Sequence, residues 1–488
     1  MSEPITRRAF VAETALATLA LSGAKLPAGL LPPHGPHARR DQPKKVLIVG
    51  AGLAGLAAGY ELVKAGHEVI LLEAQVRAGG RVLTLRSPFG EGLYADAGAT
   101  RIPDNHEWTL RYVEMFGLEL GPFEPADSSM VYHLRGARSV AAPGANLDWP
   151  YAITARERTI GVLPLVRQEV ERTIQEVGDP TRPGWPSSSL RALDELSFEG
   201  YLRTRGLSKG AIELHRALAG GYPYGAMSAL WVIRNRFWRH KTQRYVKISG
   251  GNDRLPEAFA TRLADHIRYG ARVVRIEQDH ERVRATYTQG GTSYSAEADH
   301  LISAVPLTLL RDITIPGLSA AKQRAIREVP YSSTTKVFLQ MRRPFWTGQG
   351  LSGFALTDLP VQEVWNVAHN EPSSRGILVA YMVGANGLRM GELSDAERIR
   401  TTLVNMDKVF PGARENFEGA ATKSWDRDPW VRGANVYFKP GQMTTLAPIV
   451  GQAEGRIHFA GEHTSAWNNW MQGALESGHR AAAEVNAI

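Results

Sequence analysis

The hydrophobic pattern is clearest at residues 44–55, where a basic lead runs into an aliphatic segment and then a glycine turn. The segment Val46–Val49 is continuously apolar, which is typical of a buried parallel strand. A GxGxxG motif follows, formed by Gly50, Gly52 and Gly55, and it continues into a helical pattern. This order predicts a strand that feeds a helix whose N-terminus can face an anionic group.

A second aliphatic run, Glu68–Leu72, ends at Glu73, eighteen residues after Gly55. A carboxylate at that point can accept hydrogen bonds from both ribose hydroxyls of a dinucleotide. The three glycines would make the turn, admit a pyrophosphate and let the helix pack on the strand. The sequence therefore predicts a dinucleotide site, with a glycine turn that binds nothing as the alternative.

Downstream, the pattern changes from helical to alternating. Apolar residues at helical spacing, and Phe198 after a predicted Ser197 cap, indicate a mostly helical region between residues 106 and 238. Alternation then predicts a strand at 271–278 with hairpin partners at 282–287 and 292–296, and a buried strand at 300–306.

Composition narrows the class of protein. The chain has 488 residues, of which 43% are hydrophobic and 22% charged, as in soluble proteins of two or three domains. The net charge of +8 includes several charges in the first 45 residues, so we predict no nucleic-acid surface. There is no cysteine, which excludes disulfides, thiolate metal sites and a cysteinyl–cofactor bond.

The N-terminus predicts a targeting segment. Residues Thr6–Val11 resemble a twin-arginine export signal, followed by a weakly apolar stretch, Thr14–Leu21, and the small residues Ser22–Ala24. No other run reaches the ~18 apolar residues of a membrane span. We expect export to the periplasm or medium of a bacterium without stable membrane insertion, or a cytoplasmic protein if the signal is unused. An amphipathic first helix is the alternative.

Three further motifs make a resemblance specific. The GGR sequence at 79–81, the segment Tyr94–Pro103 and the C-terminal stretch Arg456–Ala483 follow the glycine motif in order. Together they resemble the flavin-dependent amine oxidase superfamily, bacterial L-amino acid oxidase branch, over roughly residues 44–488. The resemblance implies FAD bound by Gly50, Gly52, Ala54, Gly55, Glu73, Ala74, Gly80, Arg81, Gly98, Ala99, Thr100, Arg101, Val274, Gly461, Glu462 and Met471.

The same resemblance assigns the substrate side. Arg101 would grip the substrate carboxylate, with a structural ion pair as the alternative, and Tyr381 would be its second contact. Lys336 would reach toward flavin N5 through water as a catalytic group, the alternative being a solvent-facing lysine. Substrate would also be contacted by Trp425, Asn435 and Trp470.

The cofactor is expected to be non-covalent. Monoamine oxidases bind flavin through a cysteine, and Gly433 stands at that position here. Relatives often carry glycine where this chain has Asn469.

The segment Arg234–Lys241 mixes bases with aromatics. We interpret it as a charged surface helix end, with a lining of the substrate access path as the alternative.

The predicted fold class is α/β plus α+β: a Rossmann-like FAD-binding domain built from discontinuous segments, a mixed-sheet substrate domain and a helical insertion. The predicted division is signal and linker 1–43, FAD-binding parts 44–105, 243–308 and 446–488, substrate parts 106–145 and 309–445, and helical domain 146–242.

The implied function is oxidative deamination of L-amino acids to 2-oxo acids, with release of ammonia and hydrogen peroxide. Its partners would be an L-amino acid and oxygen, in a homodimer or higher homo-oligomer without a metal. Three alternatives stay open: an amine or polyamine oxidase, an amino acid 2-monooxygenase, and a flavin-binding protein without turnover.

Overall fold

The computed structural model describes residues 42–124, 129–182, 184–239 and 242–488. The predicted export signal and the linker up to residue 41 lie outside these ranges and stay predictions. No helix of the described residues is long and apolar enough to cross a membrane.

Within the described ranges, a sheet of five parallel strands forms the first layer, in the order β10-β2-β1-β14-β22. Its central strand is fully buried at Val46–Ile48, because helices cover the sheet, as the continuous apolar run predicts. The strands come from three separated stretches: β1 Lys45–Val49, β2 Glu68–Leu72, β10 Ile267–Arg268, β14 His300–Ser303 and β22 Ile457–Phe459.

The first and last helices of this layer pack directly on each other. Helix α1 (Leu53–Lys64) follows the glycine turn, and α17 (Met471–Ala487) ends the chain. A Cβ on Gly478 would stand 2.3 Å from the Ala54 carbonyl oxygen, so glycine is what allows this close approach. The helix after the glycine turn and the last helix are thereby joined into one unit.

A mixed sheet of seven strands forms the second layer of the described chain, in the order β20-β16-β19-β18-β17-β7-β8. Its strands are antiparallel except for the β17–β7 pair. They are β7 Ser129–Leu134, β8 Ala137–Ala141, β16 Thr334–Met341, β17 Leu351–Thr357, β18 Glu363–Asn366, β19 Gly376–Val383 and β20 Phe417–Ser424. The predicted fold class, with its mixed sheet, is confirmed.

Smaller sheets and helices complete the layers. The short strands are β3 Thr84–Leu85, β4 Ala95–Asp96, β5 Ile102–Pro103, β6 Leu120–Pro122, β9 Tyr245–Ile248, β11 Arg272–Gln278, β12 Val283–Gln289, β13 Thr292–Ala298, β15 Tyr331–Ser332 and β21 Asn435–Val436. The helices outside the insertion are α2 Glu107–Met115, α9 Arg254–Arg262, α10 Leu307–Leu310, α11 Ala320–Glu328, α12 Gly384–Glu392, α13 Asp395–Val409, α14 Ala413–Asn416, α15 Gln442–Thr445 and α16 Ala447–Val450.

The helical insertion is held by conventional caps. The Ser197 hydroxyl accepts a hydrogen bond from the Gly200 N–H, as predicted, and Thr154 forms a capping box with Glu157. Its helices are α3 Ala155–Ile160, α4 Val162–Val177, α5 Arg191–Asp194, α6 Phe198–Thr204, α7 Lys209–Leu218 and α8 Ala229–Arg239.

Helix α2 belongs to the parallel-sheet layer. The Tyr112 hydroxyl donates a 2.8 Å hydrogen bond to Glu61 on α1, and Trp108 packs on His479 of α17 with ring centroids 4.3 Å apart. The sequence-based division places residues 106–145 in the substrate domain. In the structure only the later part of that stretch, β7 and β8, joins the mixed sheet.

Candidate active site

A cavity of about 600 Å³ runs between the parallel sheet, the mixed sheet and the helical insertion. Every residue that the sequence singled out for cofactor or substrate lines it, with one exception, Gly55. These residues are Gly50, Gly52, Ala54, Glu73, Ala74, Gly80, Arg81, Gly98, Ala99, Thr100, Arg101, Val274, Lys336, Tyr381, Trp425, Asn435, Gly461, Glu462, Trp470 and Met471.

The glycines of the first turn have different surroundings. A Cβ on Gly55 would stand 1.9 Å from the Gly50 carbonyl oxygen, so Gly55 serves helix packing rather than ligand contact. A Cβ on Gly52 would meet nothing within 4 Å. Gly52 therefore leaves open space at the cavity wall, beside the N-terminus of α1, where an anionic group can approach the backbone.

The carboxylate of Glu73 is fixed at the same end of the cavity. One oxygen accepts a 2.7 Å hydrogen bond from the Ala51 N–H and the other a 2.8 Å bond from the Gln75 N–H. Burial raises the pKa of this carboxyl above its ordinary value. Each oxygen keeps a further lone pair, so Glu73 can accept hydrogen bonds from ligand hydroxyls.

Arg81 and Glu462, assigned by resemblance to the pyrophosphate and the ribityl chain, are paired with each other at 2.7 Å. Arg81 also donates to the Ala434 carbonyl at 2.8 Å. Burial alone would raise the pKa of Glu462, but Arg81 and His463 hold it below the ordinary value. The pair brings both charges to the cavity wall, where each has further hydrogen-bonding capacity.

Three backbone features also fit a flavin dinucleotide. Val274 lies in a β-bulge of β11, between two residues that pair with β12, and its own backbone is not paired with that strand. Met471 begins α17 at the cavity, and the first N–H groups of a helix have no acceptor within it. Asn469 has a φ of 72°, a left-handed conformation that suits glycine and, among side chains, asparagine. Its buried Oδ1 has no hydrogen-bond partner among the described residues.

The guanidinium of Arg101 lies in an aromatic cage formed by Phe123, Tyr245 and Trp365. The distances from its central carbon to the three ring centroids are 5.9, 5.0 and 5.2 Å. Within the described parts of the chain it has no hydrogen bond or ion pair, so the alternative of a structural ion pair is not supported there. The cage orients a cation whose donors remain available to an anion in the cavity.

One row across the mixed sheet joins three polar side chains of neighbouring strands. Lys336 lies opposite Tyr381, and Tyr381 lies opposite Glu363. Directly opposite residues project from the same face of a sheet, so the side chains of this polar row lie side by side. Lys336 and Tyr381 line the cavity, and Glu363 lies beside them without lining it. Lys336 and Tyr381 were predicted site residues, whereas Glu363 was not.

Lys336 is buried, with 2% of its surface exposed, so the solvent-facing alternative is wrong. Its ammonium donates to the carbonyl oxygens of Asp96 and Gly98, at 2.9 and 2.8 Å, and to the Thr100 hydroxyl at 2.5 Å. Burial lowers the pKa of Lys336 to about 7, against the opposing charge of Asp96. Lys336 therefore braces the segment that leads to Arg101.

Two aromatic residues in contact with Tyr381 were not predicted from the sequence. Trp365 stacks on Tyr381, with ring centroids 4.6 Å apart, and the Tyr222 hydroxyl lies 3.4 Å from that of Tyr381. Both line the cavity. The available signals were weak: a strand-like VWN run for Trp365 and a glycine-rich aromatic loop, GGYPYG, for Tyr222.

The remaining predicted substrate residues cover the cavity. Trp425 donates its indole N–H to the Ala97 carbonyl at 2.9 Å, and the Asn435 side-chain oxygen accepts from Ser332 at 2.9 Å. Trp470 meets His106 edge to face, with ring centroids 5.0 Å apart. These contacts fix the positions of the three side chains at the cavity wall.

The interpretation of residues 234–241 as a surface helix end is wrong for its first part. Arg234 is 3% exposed and hydrogen-bonds to Asn468, and burial lowers its pKa to about 9. Asn235 and Arg236 line the cavity, as the alternative predicted. The segment was misjudged because its charges suggested solvent, whereas α8 is covered by the loop before α17. Residues 240 and 241 lie outside the described chain.

No group of three or more acidic or histidine side chains in the described residues is arranged to hold a metal ion.

The family model for flavin containing amine oxidoreductases matches residues 53–486. This chain belongs to that family. The flavin-containing amine oxidoreductases are enzymes of redox chemistry, and the resemblance predicted from the motifs is confirmed at this level. Membership also implies a flavin cofactor, which agrees with the open glycine turn, the buried Glu73 and the unsatisfied Asn469 oxygen.

Among relatives, the chain is 34% identical over 467 residues to a Bacillus subtilis (strain 168) protein named "Putative L-amino-acid oxidase YobN". The match covers 92% of this chain and 96% of that one. An L-amino-acid oxidase of Bungarus fasciatus is 31% identical over 461 residues, covering 92% of this chain and 88% of its own.

Solved structures of amine oxidases are also similar. A putrescine oxidase with bound putrescine matches with a TM-score of 0.77 and 26% identity, over 92% of this chain and all of the other. A cyclohexylamine oxidase of Brevibacterium oxydans matches with a TM-score of 0.78 at 24% identity, over 91% of this chain and 99% of its own, and shows the shared fold.

Proposed function

We propose that this enzyme is an FAD-dependent L-amino acid oxidase. The observation that carries the proposal is the guanidinium of Arg101, which lies at the cavity inside an aromatic cage without an ion-pair partner in the described chain. A guanidinium binds a carboxylate through two parallel hydrogen bonds, and the low-dielectric cage strengthens that pairing. An α-carboxylate distinguishes amino acids from amines.

Tyr381 and Tyr222 complete the proposed carboxylate site. Their hydroxyls are 3.4 Å apart, and burial raises the pKa of both phenols above the ordinary value. Both therefore stay protonated at neutral pH and can donate hydrogen bonds to an anion. Arg101 and the two phenols would hold the carboxylate, so that the α-carbon is turned toward the cofactor.

The cofactor would be held along the cavity from Gly52 and Glu73 to Met471. The chemistry supplied by bound FAD is two-electron oxidation of a C–N bond, with reoxidation by oxygen. Overall, L-amino acid, oxygen and water give 2-oxo acid, ammonia and hydrogen peroxide. The chain would bind and orient the cofactor and the substrate and cover them from water. Because the pKa of Lys336 is about 7, its Nζ can hold or release a proton close to neutral pH.

We further propose that FAD is non-covalent. A Cβ on Gly433 would stand 2.7 Å from Cβ of Tyr331, so even the side chain of alanine does not fit where monoamine oxidases carry their cysteine. The chain has no cysteine elsewhere.

Oxidation of amines without a carboxylate is the second candidate, supported by the similarity to putrescine oxidase. A half-buried cation that faces the cavity disfavours it, because amine substrates carry positive charge and no group to pair with Arg101. The two functions are separated by the ratio of kcat/KM for an L-amino acid to that for the amine with the same side chain. We expect the ratio to exceed 10 by a wide margin, because the pairing of the substrate carboxylate with Arg101 should contribute about 2–5 kcal/mol of binding free energy. A ratio near or below one would favour the amine oxidase.

A further inference from the structure

Behind the proposed carboxylate site lies a carboxylate that the resemblance did not assign. Glu363 is half-buried on β18 and stands directly opposite Tyr381 in the polar row. Within the described residues it has no ion-pair partner. One carboxylate oxygen accepts a 3.0 Å hydrogen bond from the indole N–H of Trp365, two residues along the same strand.

This hydrogen bond fixes the ring that organises the site. Trp365 stacks on Tyr381 at 4.6 Å and lies 5.2 Å from the guanidinium carbon of Arg101. Residues two apart on a strand share a face, so the contact between Glu363 and Trp365 sets the rotation of the indole about its side-chain bonds. An indole that rotated would release both the Arg101 cage and the Tyr381 stack.

The same carboxylate also abuts the loop that carries Tyr222. A Cβ on Gly220 would stand 1.8 Å from the second oxygen of Glu363, and one on Gly221 would stand 2.1 Å from the Gln362 side-chain nitrogen. Both glycines have positive φ, 78° and 73°, so the loop is shaped to fit against this end of β18. Tyr222 follows directly and meets Tyr381.

We propose that Glu363 is a positioning residue of the carboxylate site, acting through Trp365 and the Gly220–Tyr222 loop. Glu363 does not line the cavity and contacts no substrate atom. Its effect is selective, because it orients the groups proposed to recognise a carboxylate and lies away from the glycine turn and Glu73. The inference rests on the proposed function, in which Arg101 and Tyr381 bind the carboxylate.

The test compares binding of benzoate with that of its uncharged analogue benzamide to the holoenzyme, by titration of the flavin absorbance. Glu363→Leu should raise the Kd of benzoate about tenfold, equivalent to about 1.4 kcal/mol, with the Kd of benzamide unchanged. Glu363→Gln, which keeps an oxygen acceptor for the indole, should restore wild-type benzoate binding. Glu297→Leu, an exposed carboxylate on β13, is the matched control.

A thermodynamic cycle separates positioning from a general structural effect. Trp365→Phe keeps an aromatic ring, smaller than the indole and without its N–H, and it should weaken benzoate binding at least as much as Glu363→Leu. The double variant should bind benzoate no worse than Trp365→Phe alone, because both substitutions remove the same hydrogen bond. If Glu363→Leu does not fold, Trp365→Phe compared with wild type gives the result instead.

Unchanged benzoate binding, an equal loss for benzamide, or strictly additive losses in the double variant would overturn the proposal. Benzoate titration needs no turnover. If the wild-type enzyme binds benzoate through Arg101 but fails to oxidise L-amino acids, the proposed function is refuted. The benzoate titrations would still test whether Glu363 positions the groups that bind a carboxylate.

Discussion

Replacement of Arg101 by leucine perturbs the proposed substrate contact most directly. The variant removes a cation held 5.0 and 5.2 Å from the rings of Tyr245 and Trp365, and leucine fills much of the space with apolar atoms. Loss of one partner of a buried, hydrogen-bonded charge pair costs about 2–5 kcal/mol. Because Arg101 is only partly buried, we expect about 3 kcal/mol, which lowers kcat/KM for an L-amino acid about 150-fold.

The loss should fall mainly on KM, since the carboxylate is bound in the ground state as well as the transition state. Initial rates of peroxide release over a range of L-phenylalanine concentrations measure it, with 2-phenylethylamine as the substrate that lacks the carboxylate. Flavin content should stay that of wild type. Arg284→Leu, at an exposed ion pair with Glu297, is the matched control.

A carboxylate contact at Arg101 would be contradicted if Arg101→Leu kept wild-type kcat/KM for L-phenylalanine. It would equally be refuted if L-phenylalanine and 2-phenylethylamine lost activity in the same proportion, because Arg101 would then act on the fold or the flavin rather than on the carboxylate.

Three further predictions concern the cofactor and the buried lysine. Gly55→Ala should destabilise the protein by about 2 kcal/mol or more, because its Cβ meets the Gly50 carbonyl. Gly52→Ala should keep the melting temperature of the apoprotein, because its Cβ meets no atom within 4 Å, and should lower the affinity for flavin. The reverse outcome in thermal melting and flavin titration would contradict these roles. Lys336 has a pKa of about 7 when folded and 10.5 when unfolded, so the unfolded state binds the extra proton and the free energy of unfolding rises with pH between these values. Lys336→Met should flatten that rise in denaturant titrations, and an unaltered pH dependence would place the ionisation elsewhere. Acid precipitation should release the flavin into the supernatant, and colour retained in the pellet would refute the non-covalent proposal.

The flavin side of the site could be predicted from sequence because its groups belong to local motifs. A glycine turn, the acid after the next strand and the start of the last helix each carry their own spacing, and the fold brings them to one cavity. Arg101, Lys336 and Tyr381 came from the resemblance, since a single residue in a strand has no local signature. Their roles in binding and catalysis stay predictions, as do the oligomeric state and the export of the protein.

The residues that surround the proposed carboxylate contacts are placed by strand register, which local sequence does not encode. Glu363 meets Tyr381 only because β18 and β19 pair at that register, and Trp365 on β18 meets Arg101, which is distant in the sequence. Arg234 was misjudged for a related reason, because a charge-rich stretch predicts solvent exposure unless another element is known to cover it.

Oxidation of L-amino acids is tested by supplying purified holoenzyme with each L-amino acid, its D-enantiomer and the corresponding amine, and by measuring hydrogen peroxide, 2-oxo acid and ammonia. We expect equal amounts of the three products from one or more L-amino acids, and little turnover of D-amino acids or amines. Faster turnover of amines than of any L-amino acid, an amide product in place of the 2-oxo acid, or no turnover at all would contradict it.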